Sequence, residues 1–112
     1  MHGNVPQLAF REATWKRADA GAAITAVTVA LANSGQQSLT GTEFSLFLSD
    51  LDQVLHITAA VDSGSSTHLD FPLPAGFIPN ENTRLTLEVF QPGPPAHRWR
   101  FSDRSIAVPG AH

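Results

Sequence analysis

Thr25–Asp50 reads TAVTVALANSGQQSLTGTEFSLFLSD, and its pattern decides the fold class. Val27, Val29 and Leu31 fall on one parity, and Phe44, Leu46 and Leu48 repeat the alternation after a polar break. Successive side chains of a strand point to opposite faces, so each segment has one face to bury and one to wet. The break, Asn33-Ser34-Gly35, is built of residues that tolerate positive φ and turn the chain. The rival is a helix across the alanine-rich stretch from Ala18 to Ala32. Ile24, Thr25, Val27, Thr28 and Val29 are β-branched, which crowds χ1 in a helix and suits a pleated surface. Strand wins there.

Working outward, the same alternation recurs between clusters of turn residues. The first strand is expected near Gln7 to Lys16, closed by Ala18-Asp19-Ala20-Gly21, and the second at Ala22 to Ala32. The third spans Thr42 to Ser49 and the fourth Val54 to Val61. The fifth, Thr67 to Leu73, carries Pro72, which cannot donate to a ladder and so marks an edge strand. The sixth is Thr83 to Phe90. After the rigid Gln91-Pro92-Gly93-Pro94-Pro95, a seventh covers Arg98 to Ser102 and continues from Ser105 to Val108. About seven short strands at regular spacing, with no helix, predict an all-β chain: an immunoglobulin-like antiparallel β-sandwich, one domain over residues 1–112. Its expected core is Leu8, Phe10, Val27, Val29, Leu31, Phe44, Leu46, Leu48, Ile57, Leu69, Phe71, Leu85, Leu87, Val89 and Trp99.

Composition bounds the function. The chain has 112 residues, 42% of them hydrophobic and 15% charged, enough for a single core. A formal charge of -3 argues against nucleic acid as a partner. The absence of cysteine removes disulfides, thiolate nucleophiles and Cys-ligated zinc, and leaves the compartment open. MHGNVPQLAF lacks the pattern of a signal peptide, and no apolar run reaches the ~20 residues that cross a bilayer. The reading expects a cytoplasmic protein or one module of a longer exported chain.

Some segments resemble a known family. VTVALANSG at Val27–Gly35, FSLFLSD at Phe44–Asp50, AAVDSGSSTHLDFPLP at Ala59–Pro74 and the closing TRLTLEVFQP are similar in pattern to bacterial cell-adhesion-related (CARDB-type) and fibronectin-III-like domains. The similarity covers Ile24 to Pro92. Two departures stand out: the family's acidic ending is replaced by Gln91-Pro92-Gly93-Pro94-Pro95, and a further strand containing Arg98-Trp99-Arg100-Phe101 follows. The resemblance implies a non-catalytic structural or protein-interaction module of a larger cell-surface or exported protein, without active-site residues or cofactors.

The residues themselves offer few chemical sites. Asp50 and Asp52, with Asp62 and Asp70 downstream, are oxygen ligands of the type calcium takes, but they lack the spacing of a binding loop, and aspartate in a turn more often bonds its own backbone. The five histidines make no HxH or HExxH spacing, although His56 and His68 lie on strands that could be neighbours. No G-x-S-x-G, P-loop or dinucleotide fingerprint is present, so no enzyme is expected.

Two binding candidates remain. On a strand, Arg98 and Arg100 share one face and Trp99 and Phe101 the other. The arginines, with Arg104, form a basic stripe for an anionic partner, or else solubilise the outside of a core strand whose aromatics are buried. The second explanation is favoured. Trp15 lies on the parity opposite Leu8 and Phe10; exposed, it would offer a stacking platform to a carbohydrate, whereas a β-bulge would return it to the core. Protein partners or neighbouring domains are therefore expected first and carbohydrate second, with the chain a monomer or a weak edge-to-edge dimer.

Overall fold

The computed structural model describes residues 7–17 and 24–107. Among these, seven strands and no helix are found: β1 Leu8–Arg17, β2 Ile24–Asn33, β3 Leu39–Leu48, β4 Leu55–Val61, β5 Ser66–Pro72, β6 Arg84–Gln91 and β7 His97–Ser105. They form two antiparallel sheets, β1-β2-β5 and β4-β3-β6-β7. Hairpins join β1 to β2, β3 to β4 and β6 to β7, while the other three connections change sheets. The constant-type immunoglobulin arrangement pairs its fourth strand with the sheet of the first; here β4 stays beside β3. The expected turn Ala18–Gly21 and the end of the seventh strand at Val108 lie outside the described residues.

The alternating residues meet between the sheets. Val27, Val29 and Leu31 of β2, with Phe71 of β5 beside Val27 in the same sheet, face Phe44 and Leu46 of β3 and Leu85, Leu87 and Val89 of β6, all essentially without solvent contact. Three departures from strict alternation complete this core. In β1 the pairing steps from Phe10 opposite Leu31 to Glu12 opposite Ala30, so Arg11 is an extra residue. That bulge inverts the parity after it and turns Ala13 and Trp15 inward. Trp15 is only 2% exposed and sits opposite Val27. The exposed reading of Trp15 is thereby corrected. In β3, Gly41 takes φ 62° and the pairing slips between Leu39 and Thr42. This restores Leu39, which the sequence reading left outside the strand, to the inner face. In β7, Asp103 at φ 57° makes a third irregularity, within one continuous strand where a break was expected.

Not every expected core residue is fully enclosed. Phe10, Ile57, Trp99 and Phe101 are half-buried and pack against the core from its borders. Each belongs to an edge strand, and an edge has a neighbour on one side only. β5 is also an edge, as Pro72 required.

Asn33 differs from its expected role. It does not take positive φ; instead it closes β2 as a buried residue. Its side-chain amide donates to the carbonyls of Gln37 (2.9 Å) and Val61 (3.2 Å), and its Oδ1 accepts from the Gly35 amide (3.0 Å). One side chain thus fixes the turn after β2 and the end of β4. No described helix is long and apolar enough to cross a membrane.

Candidate functional site

The arginine strand borders an open groove on the outer face of the four-stranded sheet. β7 pairs with β6 so that Arg98 lies opposite Phe90, Trp99 opposite Val89 and Arg100 opposite Glu88. β6 in turn places Phe90 beside Glu43 and Glu88 beside Ser45 of β3. Alternation then sends Glu43, Ser45, Glu88, Phe90, Arg98 and Arg100 to the outer face of the four-stranded sheet. They line an open groove of about 540 Å³ with Trp99 at its border.

Two rows of side chains cross this groove. In one, the Arg98 guanidinium stacks on the Phe90 ring, 4.4 Å from its centroid, with Glu43 one strand further in. In the other, Arg100 Nε lies 3.6 Å from Glu88 Oε2, and Ser45 Oγ lies 3.2 Å from His56 Nδ1. The stack on Phe90 holds one guanidinium flat and orients its free edge. The Arg100–Glu88 pair is loose and solvated, which leaves Arg100 donors for another acceptor. Positive charge runs along β7, and negative charge lies one and two strands inward.

Arg104 does not extend the stripe. The Asp103 irregularity directs it to the seam between the sheets, where its guanidinium lies over the Phe10 ring at 5.3 Å. Phe101 packs in the same seam against Phe10, centroids 5.8 Å apart. The four consecutive residues Arg98–Phe101 therefore serve two purposes: the arginines line the groove and the aromatics close the core.

Ser45 and His56 are a pair the sequence reading missed, because it needs knowledge that β3 and β4 are neighbours. Their distance suits a nucleophile and a base, but both lie on an open sheet face, and no described carboxylate hydrogen-bonds His56. The suggested His56–His68 pair does not form: β4 and β5 belong to different sheets, and the two rings stand on outward positions of each.

Two of the four candidate aspartates, Asp50 and Asp70, are engaged structurally through their carboxylates. Asp50 Oδ2 accepts from Asn80 Nδ2 (2.7 Å) and Thr83 Oγ1 (2.6 Å), tying the turn after β3 to the loop before β6. Asp70, on the outside of the three-stranded sheet, accepts from Lys16 Nζ (2.7 Å) and Thr28 Oγ1 (2.6 Å). Those bonds, the one from Lys16 foremost, hold its carboxyl below the usual range. Among the described residues no three His, Asp or Glu side chains are grouped to hold a metal ion.

The chain matches no protein-family model, no curated protein and no solved structure.

Proposed function

We propose that this chain is a non-catalytic protein-interaction module and that its docking face is the groove over β3, β6 and β7. The carrying observation is the charge order across that groove: Arg98 and Arg100 on the border strand, Glu43 and Glu88 inward, with Phe90 beneath Arg98. Such an order suits an extended segment of mixed charge, its acids against the arginines and its bases against the glutamates. Charged rims of this kind supply orientation and association rate more than affinity. The resemblance to CARDB-type and fibronectin-III-like domains belongs to the same reading, which places the chain in a larger cell-surface or exported protein. Burial of Trp15 takes away the aromatic platform on which the carbohydrate alternative rested.

The test is an amide NMR titration of the folded chain with a peptide of alternating Glu and Lys. Shifts should cluster at Glu43, Ser45, Glu88, Arg98 and Arg100 at about millimolar peptide. They should vanish in Arg98→Ser/Arg100→Ser and fade in about 0.5 M salt. Absence of shifts at saturating peptide, shifts confined to other surfaces, or cleavage of the peptide would each overturn the proposal.

A further inference from the structure

Four strands border the two sheets: β1 and β5 in one, β4 and β7 in the other. A sheet border exposes unpaired N–H and C=O groups that can template another strand, and folded proteins blunt such borders with charge, proline, bulges or a covering segment. Three of these four are blunted. β1 is bulged at Arg11, carries Arg11, Glu12, Lys16 and Arg17, and is covered where Ala107 bonds to Ala13 and Trp15. β5 carries Asp70 and ends on Pro72. β7 carries Arg98, Arg100, Asp103 and Arg104, and is irregular at Asp103.

β4 has none of these devices. Its sequence, LHITAAV, contains no acidic residue, lysine, arginine or proline. The irregularity in its ladder belongs to β3, where Thr40 and Gly41 stand against Ala60 alone. Its inward row is also incomplete: Leu55 and Val61 are buried, whereas Ile57 and Ala59 between them stay half-exposed. A strand laid alongside would cover both.

We infer that β4 is a self-association site, where two copies pair antiparallel about a two-fold axis and join their four-stranded sheets into one sheet of eight strands. The sequence of β4 is complementary to itself in this orientation. With Thr58 on the axis, His56 meets Ala60 of the second copy, Ile57 meets Ala59 and Leu55 meets Val61. The inward row then pairs apolar with apolar, and the axis carries a Thr–Thr contact, one of the favourable cross-strand pairs. No like charges are opposed there. Self-pairing of β7 about its middle residue, Phe101, would instead oppose Arg98 and Arg104, and β5 ends on a proline that cannot donate to a ladder. A second copy fits β4 better than a charged partner, because β4 offers a charged partner nothing to pair with. One added strand per copy falls below the ~1,200 Å² of a standard stable interface, so the dimer is weak. This border is at the far side of the sheet from Arg98 and Arg100, with Thr58 opposite Glu43 at the inner end of the groove.

Sedimentation equilibrium on the intact chain tests it. The wild type should pass from monomer to dimer by ~1 mM. Thr58 is exposed, so Thr58→Lys and Thr58→Glu should each weaken the dimer about tenfold by opposing like charges on the axis. Because Thr58 stands opposite Glu43, Thr58→Lys should keep the wild-type melting curve and Thr58→Glu should lower it slightly with folding still cooperative. An equimolar mixture of the two should associate more tightly than either variant alone, because lysine then meets glutamate. A wild type still monomeric at that concentration, variants that dimerise like the wild type, or a mixture no tighter than its components would overturn the inference.

Discussion

The two lateral seams of the sandwich are closed by different means. Along β1 and β7 the closure is made of side chains and a crossing segment. Phe10 packs on Phe101, Arg104 lies over Phe10, and Ala107 bonds to β1 through its own amide and carbonyl, each at 2.9 Å. Along β4 and β5 the closure is at one end. There Asn33 reaches the Val61 carbonyl, its backbone amide donates to Ser65, and its carbonyl accepts from Gly64. Beyond that bracket the β4 border is left to its own backbone and to Ile57 and Ala59. The contrast teaches where this chain has spent interactions on being self-contained and where it has left a border another strand can use.

The largest effect should come from removing the first seam. A chain ended at Pro95 loses β7, the partner of β6 over its whole length, together with Trp99, Phe101 and the Ala107 crossing. Leu87 and Val89, now enclosed, would then lie at a bare border. Net stabilities of small domains are only ~5–15 kcal/mol, and aromatic burial contributes at about 25 cal/mol per Å². Thermal denaturation followed by circular dichroism should show no cooperative transition. A cooperative melt would mean that the core closes without this seam, and would leave Arg98–Phe101 free to act as a detachable docking strand.

The second seam should be more sensitive to one side chain than to any other. Asn33→Ala removes two donors and one acceptor at once and leaves the Val61 carbonyl without that partner in a buried place. A buried polar group left unsatisfied costs about 1–3 kcal/mol, so a loss near the upper end is expected in urea denaturation. A loss under ~0.5 kcal/mol would show that water or the chain replaces these bonds freely and that the seam is not pinned at Asn33.

How much of this was legible follows from what each feature depends on. The inward rows of β2 and β6, and that of β3 from Thr42 onward, are uninterrupted period-2 runs, and each was readable directly. Trp15, Leu39 and Arg104 were not, because each lies beyond an irregularity: at Arg11, at Gly41 and at Asp103. A bulge adds one residue and reverses every face assignment after it, and nothing in the local composition of FREATW marks where that residue falls. The candidate site divides along the same line. Arg98 and Arg100 sharing a face is a property of one strand and was visible. Their company (Glu43, Ser45, Glu88 and Phe90) depends on β3 and β6 lying next to β7, a long-range pairing that no local pattern encodes.

The smallest effect concerns β5, which is held on its outer side across the sheet and not through the seam. Lys16 on β1 and Thr28 on β2 both donate to Asp70, so one carboxylate links all three strands. Its carboxyl is held below the ordinary range, chiefly by the bond from Lys16 and then by that from Thr28. A carboxyl whose pKa is lower folded than unfolded stabilises the fold above the unfolded value, near 4, and that contribution is lost as pH falls through the folded value. Both partners are half-exposed, 53% and 45%, so solvent and salt reduce the pair to about 0.2–1 kcal/mol. Lys16→Met should therefore lower stability by that much at neutral pH and by nothing measurable at the acid end of the Asp70 titration. The two proteins' stability curves should converge as pH falls below about 4, and the gap at neutral pH should narrow in about 1 M salt. A gap that is constant with pH would show that the effect does not come from the charge of Asp70, and β5 would then not be held by this ion pair.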